Sequence, residues 1–182
     1  MRIRMTVAAL ALTLAATTGL LAQKMTQLKV GGGGSPHVRS EFTIDGADVS
    51  IEYGRPSLKG RPEATLMPPG TEWRTGADEA TTIKTSTGLM FGPVHVNPGT
   101  YTLYTVPGER NWQIIISKKT GQWGIPYPKG EDLGRALMTV GKTAAPVEML
   151  TISMEDTKAG GLLVIEWGTT RVTTPFTVMP KM

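Results

Sequence analysis

An all-β fold is predicted, arranged as an antiparallel β-sandwich or partly closed barrel in a single domain. Three observations predict it. Apolar and polar residues alternate with a period of two along several short segments. Turn residues punctuate the chain throughout, with 22 Gly and 13 Pro. After residue 22, no window of eleven shows a clear 3.6-residue apolar spacing of an amphipathic helix. A length of 182 residues suits one domain better than two.

The chain opens on a short basic start, Met1 to Arg4. An apolar run follows over residues 7–22, VAALALTLAATTGLLA, ending in small residues. This is the pattern of a secretory signal peptide over residues 1–22, with cleavage after Ala22. The run is shorter than the roughly 20 apolar residues of a membrane span, and Thr13, Thr17, Thr18 and Gly19 interrupt it. The expected location is periplasmic or extracellular, with no membrane span in the mature form. Residues 23–35 contain Gly31 to Gly34 and Ser35 and are expected to form a flexible tether. The ordered domain is expected over residues 36–180.

The strongest hairpin signal is Asp45-Gly46, a pair that favours tight turns, flanked by strands Glu41–Ile44 and Asp48–Tyr53. Val49, Ile51 and Tyr53 alternate there with Ser50 and Glu52. Residues 54–71 form a long loop rich in Pro, Gly and Arg, a candidate functional segment by its length alone. Further strands are expected at Ala80–Thr85, Leu89–Phe91, Val94–Val96, Thr100–Val106 and Trp112–Ser117. Four more follow at Ala136–Val140, Val147–Met154, Gly161–Trp167 and Arg171–Val178, the last two joined by Gly168-Thr169-Thr170. About ten strands result.

Composition excludes several classes of function. The chain has no cysteine, so disulfides, thiol nucleophiles, Cys-ligated metals and a lipid-anchored N-terminal Cys are ruled out. The formal charge is +4, and removing Arg2 and Arg4 with the leader lowers it to +2. The basic residues are scattered, so no nucleic-acid surface is expected. No phosphate loop, dinucleotide fingerprint or GxSxG motif is present.

Six blocks carry a family resemblance. They are Ser35-Pro36-His37, residues 53–61 (YGRPSLKGR), residues 73–81 (WRTGADEAT), residues 98–104 (PGTYTLY), residues 120–124 (TGQWG) and Pro175-Phe176. In content and order they resemble the bacterial family called domain of unknown function 2911. The resemblance implies an exported bacterial protein and carries no activity with it. Asp78 departs from the pattern, in which Asn is expected.

The candidate site residues are Arg55, Arg61, Trp73, Arg74, Asp78, Glu79, Tyr104 and Trp123. The arginines offer planar, forked donors suited to a carboxylate or phosphate. Trp73, Tyr104 and Trp123 offer flat faces. The competing reading makes Arg74 a brace paired with Asp78 or Glu79, and Trp73 a core-edge residue. His37 and His95 with Glu79 would supply three metal ligands only if the fold joined them. The ten methionines are unclustered and read as core filler. No cofactor is expected. The functional reading is an exported binding domain for a small polar ligand, a glycan or an envelope protein partner. One alternative is an envelope-polymer hydrolase using Glu79 as acid or base, with Asp132 or Glu148 as a second acid. The other is a purely structural domain that pairs through a sheet edge.

Overall fold

The computed structural model describes residues 24–180, so the expected signal peptide lies outside the described residues. Ten strands and one helical turn make up the fold. In order they are β1 (Lys24–Val30), β2 (Pro36–Ile44), β3 (Ala47–Gly54), α1 (Glu63–Leu66), β4 (Ala77–Thr85), β5 (Leu89–Phe91), β6 (Val94–Val96), β7 (Gly99–Val106), β8 (Asn111–Ser117), β9 (Asp132–Thr157) and β10 (Gly160–Val178). All pairings are antiparallel and form one sheet in the order β1-β2-β3-β4-β7-β8-β9-β10-β5-β6. The fold is all-β, and the sheet does not close into a barrel. No helix of the described residues is long and apolar enough to cross a membrane.

The β2–β3 hairpin forms where the turn chemistry requires it. Asp45 and Gly46 both adopt positive φ, 47° and 76°, and Ile44 pairs with Ala47 across them. A two-residue turn of this hand matches the right-handed strand twist. The register then sends Val49, Ile51 and Tyr53 inward. They join one core with Ile83, Leu103, Ile114 and Ile116 from the middle of the sheet and Leu150, Ile152, Leu163 and Ile165 from β9 and β10. Burying each such side chain stabilises the fold by about 1.5–3 kcal/mol. The sheet therefore curls until its two ends share a core. The Ile152 N–H donates to the Tyr53 hydroxyl at 3.0 Å, and Ser57 bridges Met149.

Three sequence expectations are corrected. The segment read as a flexible tether contains β1, which pairs with β2 from Lys24↔Glu41 to Val30↔Pro36. Gly31–Ser35 is a tight turn closed by Gly31 N–H to Ser35 O at 2.9 Å. Every β1 residue is exposed, so backbone pairing makes the strand and no burial pattern marks it in the sequence. Second, the strands expected at 136–140 and 147–154 are one 26-residue strand, β9. Its first part pairs with β8 and the rest with β10, so its burial pattern changes part-way along. Third, Gly168-Thr169-Thr170 is an irregularity inside β10 rather than a connection between two strands, with the register shifting on both sides of Gly168. The long loop also gains α1, whose first residue follows Pro62, a residue suited to starting a helical turn.

A second, smaller core lies on the opposite face of the sheet. Ala80, Tyr104 and Ile115 pack there under Tyr127. Residues 118–131 cross this face as a loop, held by Ala80 N–H to Gln122 O at 3.2 Å and by the Gln122 amide to the Tyr104 hydroxyl at 3.3 Å.

Candidate functional site

A cleft of about 380 Å³ opens where the long loop, the β1–β2 turn and the segment before β4 meet. Arg55, Lys59, Arg61 and Arg74 line it. Asp78 is the only carboxylate among the lining residues, and it is turned aside to His37, with Oδ2 2.9 Å from Nε2. The lining is therefore strongly cationic. A larger hollow of about 630 Å³ lies on the outer face of β2, β3 and β4, but its charges cancel. Lys24 and Lys84 face Glu41 and Asp48 there, and Lys24 pairs with Glu41 at 3.4 Å.

Each arginine is fixed by protein acceptors. Arg55 leaves the end of β3, and its Nε donates to Leu150 O at 2.9 Å and its Nη2 to Thr151 Oγ1 at 3.1 Å. It thus ties the loop to β9. Arg61 donates from Nε to Leu58 O at 2.9 Å and from Nη2 to Ser57 O at 2.6 Å. Arg74 donates from Nη1 to Trp123 O at 3.1 Å and lies over the Trp123 ring at 4.9 Å. Burial lowers the Arg74 pKa, with Asp78, Tyr104 and Glu79 opposing that shift; the guanidinium stays charged. A guanidinium carries five N–H donors, so the bonds described leave each arginine with capacity for a ligand. The Lys59 ammonium has no partner among the described residues, while the Lys59 N–H is held by Glu148 at 2.8 Å.

Trp73 forms an apolar wall. Its backbone pairs with Thr105 of β7 in both directions, at 2.8 and 2.9 Å. Its ring stacks on Trp167 at 6.0 Å and meets Trp112 edge-on at 6.3 Å. Between Trp73 and β4 the backbone is contorted. Thr75 and Asp78 have φ of 59° and 61°. A β-branched residue in that region costs about 1–3 kcal/mol. Thr75 is held there by its hydroxyl, 3.2 Å from Thr105 Oγ1, and by Thr81 Oγ1, which donates to Thr75 O at 2.8 Å.

The eight candidate residues divide among different places. Arg55, Arg61, Trp73, Arg74 and Asp78 converge on the cleft. Trp123 is half exposed and stands behind Arg74 rather than in the lining. Tyr104 is fully buried, its ring 4.9 Å from Tyr127, and reaches no surface. Glu79 faces a neighbouring hollow of about 290 Å³ with Lys29, His37 and Glu52. Its carboxylate accepts from Lys29 Nζ at 2.6 Å, and that bond leads in lowering its pKa. Asp132 and Glu148, considered as second acids, line neither hollow. Asp132 is bound to Arg135 and Tyr127, and Glu148 to the Lys59 backbone. Arg74 pairs with neither Asp78 nor Glu79 among the described ion pairs.

His37 does meet two carboxylates, Asp78 at Nε2 and Glu79 3.5 Å from Nδ1. These are opposite ring nitrogens, so the three groups do not converge on one point. No group of three or more metal-ligating side chains is found among the described residues. His95 is exposed on β6, opposite Met90.

The sequence reading missed Lys59, Trp167 and Ile125, all of which line the cleft. Lys59 sits beside Arg61 in the candidate loop and was within reach of that reading. Trp167 and Ile125 arrive from β10 and from residues 118–131, and no local signal points to them.

The segments that form most of this cleft fall within one family match. A family model described as "Protein of unknown function (DUF2911)" matches residues 35–176. The chain belongs to this family. No curated protein and no solved structure matches it. In this DUF2911 chain the matched region contains all five converging candidate residues, from Arg55 to Asp78. The β1 strand precedes it.

Proposed function

We propose that the chain is an exported binding domain whose cleft holds a small ligand through an anionic group. One observation carries this reading. Four cationic side chains from two segments of chain line one cleft whose single carboxylate is turned to His37. Like charges gathered without counter-charges repel one another, and a bound carboxylate or phosphate relieves that repulsion. Packed indoles and backbone pairing fix the walls, so little order must be gained on binding.

The exported location rests on the N-terminal leader. Cleavage after Ala22 would leave β1 whole, since that strand starts at Lys24.

The test is calorimetric titration of the mature protein with a panel of small carboxylates and phosphates. At least one is expected to bind. Arg74→Ala is expected to abolish that binding while moving Tm by no more than about 2 °C, the shift for at most about 1 kcal/mol in a domain of this size. A large loss of Tm in Arg74→Ala, with no ligand in the panel bound by the wild type, would leave Arg74 as a brace for Trp123. Mass spectrometry of the purified protein reads the N-terminal residue and so the cleavage point.

A further inference from the structure

The hydrogen-bonding balance of the cleft narrows the ligand class. Donors are abundant: three guanidinium groups and the Lys59 ammonium. Several of the acceptors are already engaged. Pro36 O accepts from Arg55 N–H at 2.7 Å, Pro56 O from Leu150 N–H at 3.0 Å, and Arg74 O from Thr81 N–H at 3.2 Å. Ser57 O accepts from Arg61, and the Asp78 carboxylate is bound to His37. A polyol brings a hydrogen on every hydroxyl and needs acceptors to receive them. A carboxylate or phosphate only accepts.

Beside the Ser35 and Ser57 side chains, much of the remaining lining is apolar. Leu66, Trp73, Trp167, Pro36 and Pro56 line the cleft, and Ile125 stands at its edge, two-thirds exposed. An exposed isoleucine beside a cationic cleft offers apolar area that a purely ionic ligand leaves wet.

Taking the anion-binding reading as its basis, we infer that the ligand is a small amphiphilic acid. Its single carboxylate or phosphate meets the cations, and its aliphatic or aromatic body lies against Trp73 and Ile125. A neutral sugar and a bare inorganic anion each match only half of the lining.

The probes are octanoate, acetate, inorganic phosphate and octanamide, titrated into the mature protein. Octanoate is expected to bind at least tenfold more tightly than acetate, phosphate or octanamide. Its heat should vary with temperature as a negative heat-capacity change, the mark of apolar burial. Ile125→Ser alters an exposed side chain and is expected to keep the wild-type Tm. It should weaken octanoate about fivefold and leave acetate unchanged. Lys59→Ala should weaken both acids.

Acetate or phosphate binding as tightly as octanoate would overturn the amphiphilic class and leave the anion-binding reading standing. Octanamide matching octanoate would overturn both. Failure of all four probes to bind would overturn the amphiphilic class, while the wider panel of carboxylates and phosphates still decides the anion-binding reading.

Discussion

The Glu63 carboxylate accepts from the Thr169 N–H at 2.7 Å, joining α1 to the irregular stretch of β10 across 106 residues. The Thr169 and Thr170 hydroxyls donate to the same carboxylate. Gly168 makes room for this contact. Its φ is +61°, and a Cβ there would lie 2.1 Å from Glu63 Oε1. The contact anchors the long loop whose other residues wall the cleft.

Glu63→Gln should therefore cost stability in a pH-dependent way. Burial pushes the Glu63 pKa up, but the bonds from Thr169 and Thr170 together with the Lys142 charge outweigh it and set the pKa below its ordinary value. A carboxylate whose pKa falls on folding contributes stability above its unfolded pKa and loses it as pH drops through the folded value. At pH 7 the variant should melt about 2–4 °C lower, the shift for about 1 kcal/mol in a domain of this size. The gap should close as the pH falls through and below the folded pKa. Thermal melts of both proteins across pH 2–7 check this; a constant gap contradicts it.

Gly124 and Gly121 separate backbone strain from crowding. Both have positive φ, 90° and 73°. A Cβ at Gly124 would stand 2.8 Å from Ala80 Cβ and 3.1 Å from Arg74 Cβ, whereas a Cβ at Gly121 meets nothing within 4 Å. Gly121→Ala should cost about 1 kcal/mol from the left-handed backbone alone. Gly124→Ala should cost about 2–4 kcal/mol, because overpacking adds to that strain. It should also displace Arg74 from Trp123. Denaturant unfolding with Trp fluorescence measures both effects.

Arg55 and Lys59 both line the cleft, yet their stability roles should differ. Arg55→Ala removes bonds to Leu150 O and Thr151 and frees a half-buried carbonyl. It should destabilise by about 1–3 kcal/mol. Lys59→Ala should stay within about 0.5 kcal/mol of wild type, as surface substitutions do. Equal losses from the two would contradict the assignment of Arg55 as the tie between loop and β9.

Tyr53→Phe tests where the curled sheet joins itself. The Tyr53 hydroxyl is the partner of the buried Ile152 N–H, and burial raises its pKa. Phe leaves that N–H unpaired, so the loss should be about 1–3 kcal/mol with strand content unchanged by circular dichroism. An unaltered midpoint would mean that the contact contributes nothing.

Much of the fold was legible in the sequence because its signals are local. Alternation at Val49, Ile51 and Tyr53 and the Asp45-Gly46 turn placed the β2–β3 hairpin to within a few residues. β1 was not legible, since a fully exposed edge strand carries no alternation to read. The length of β9 and β10 was hidden for a related reason. A strand that changes partner part-way changes its buried face as well, and so reads as two.

The amino-acid sequence alone determined that this chain folds as sheet, that it lacks thiol chemistry, and that arginines cluster near residues 55–74. Only the tertiary structure decided which of those arginines share a cleft, that Tyr104 is buried away from it, and that Glu79 faces another hollow. Side-chain periodicity is set by the pleat of a single strand. A cleft is set by contacts between segments a hundred residues apart, as Arg55 with Leu150 and Glu63 with Thr169 demonstrate.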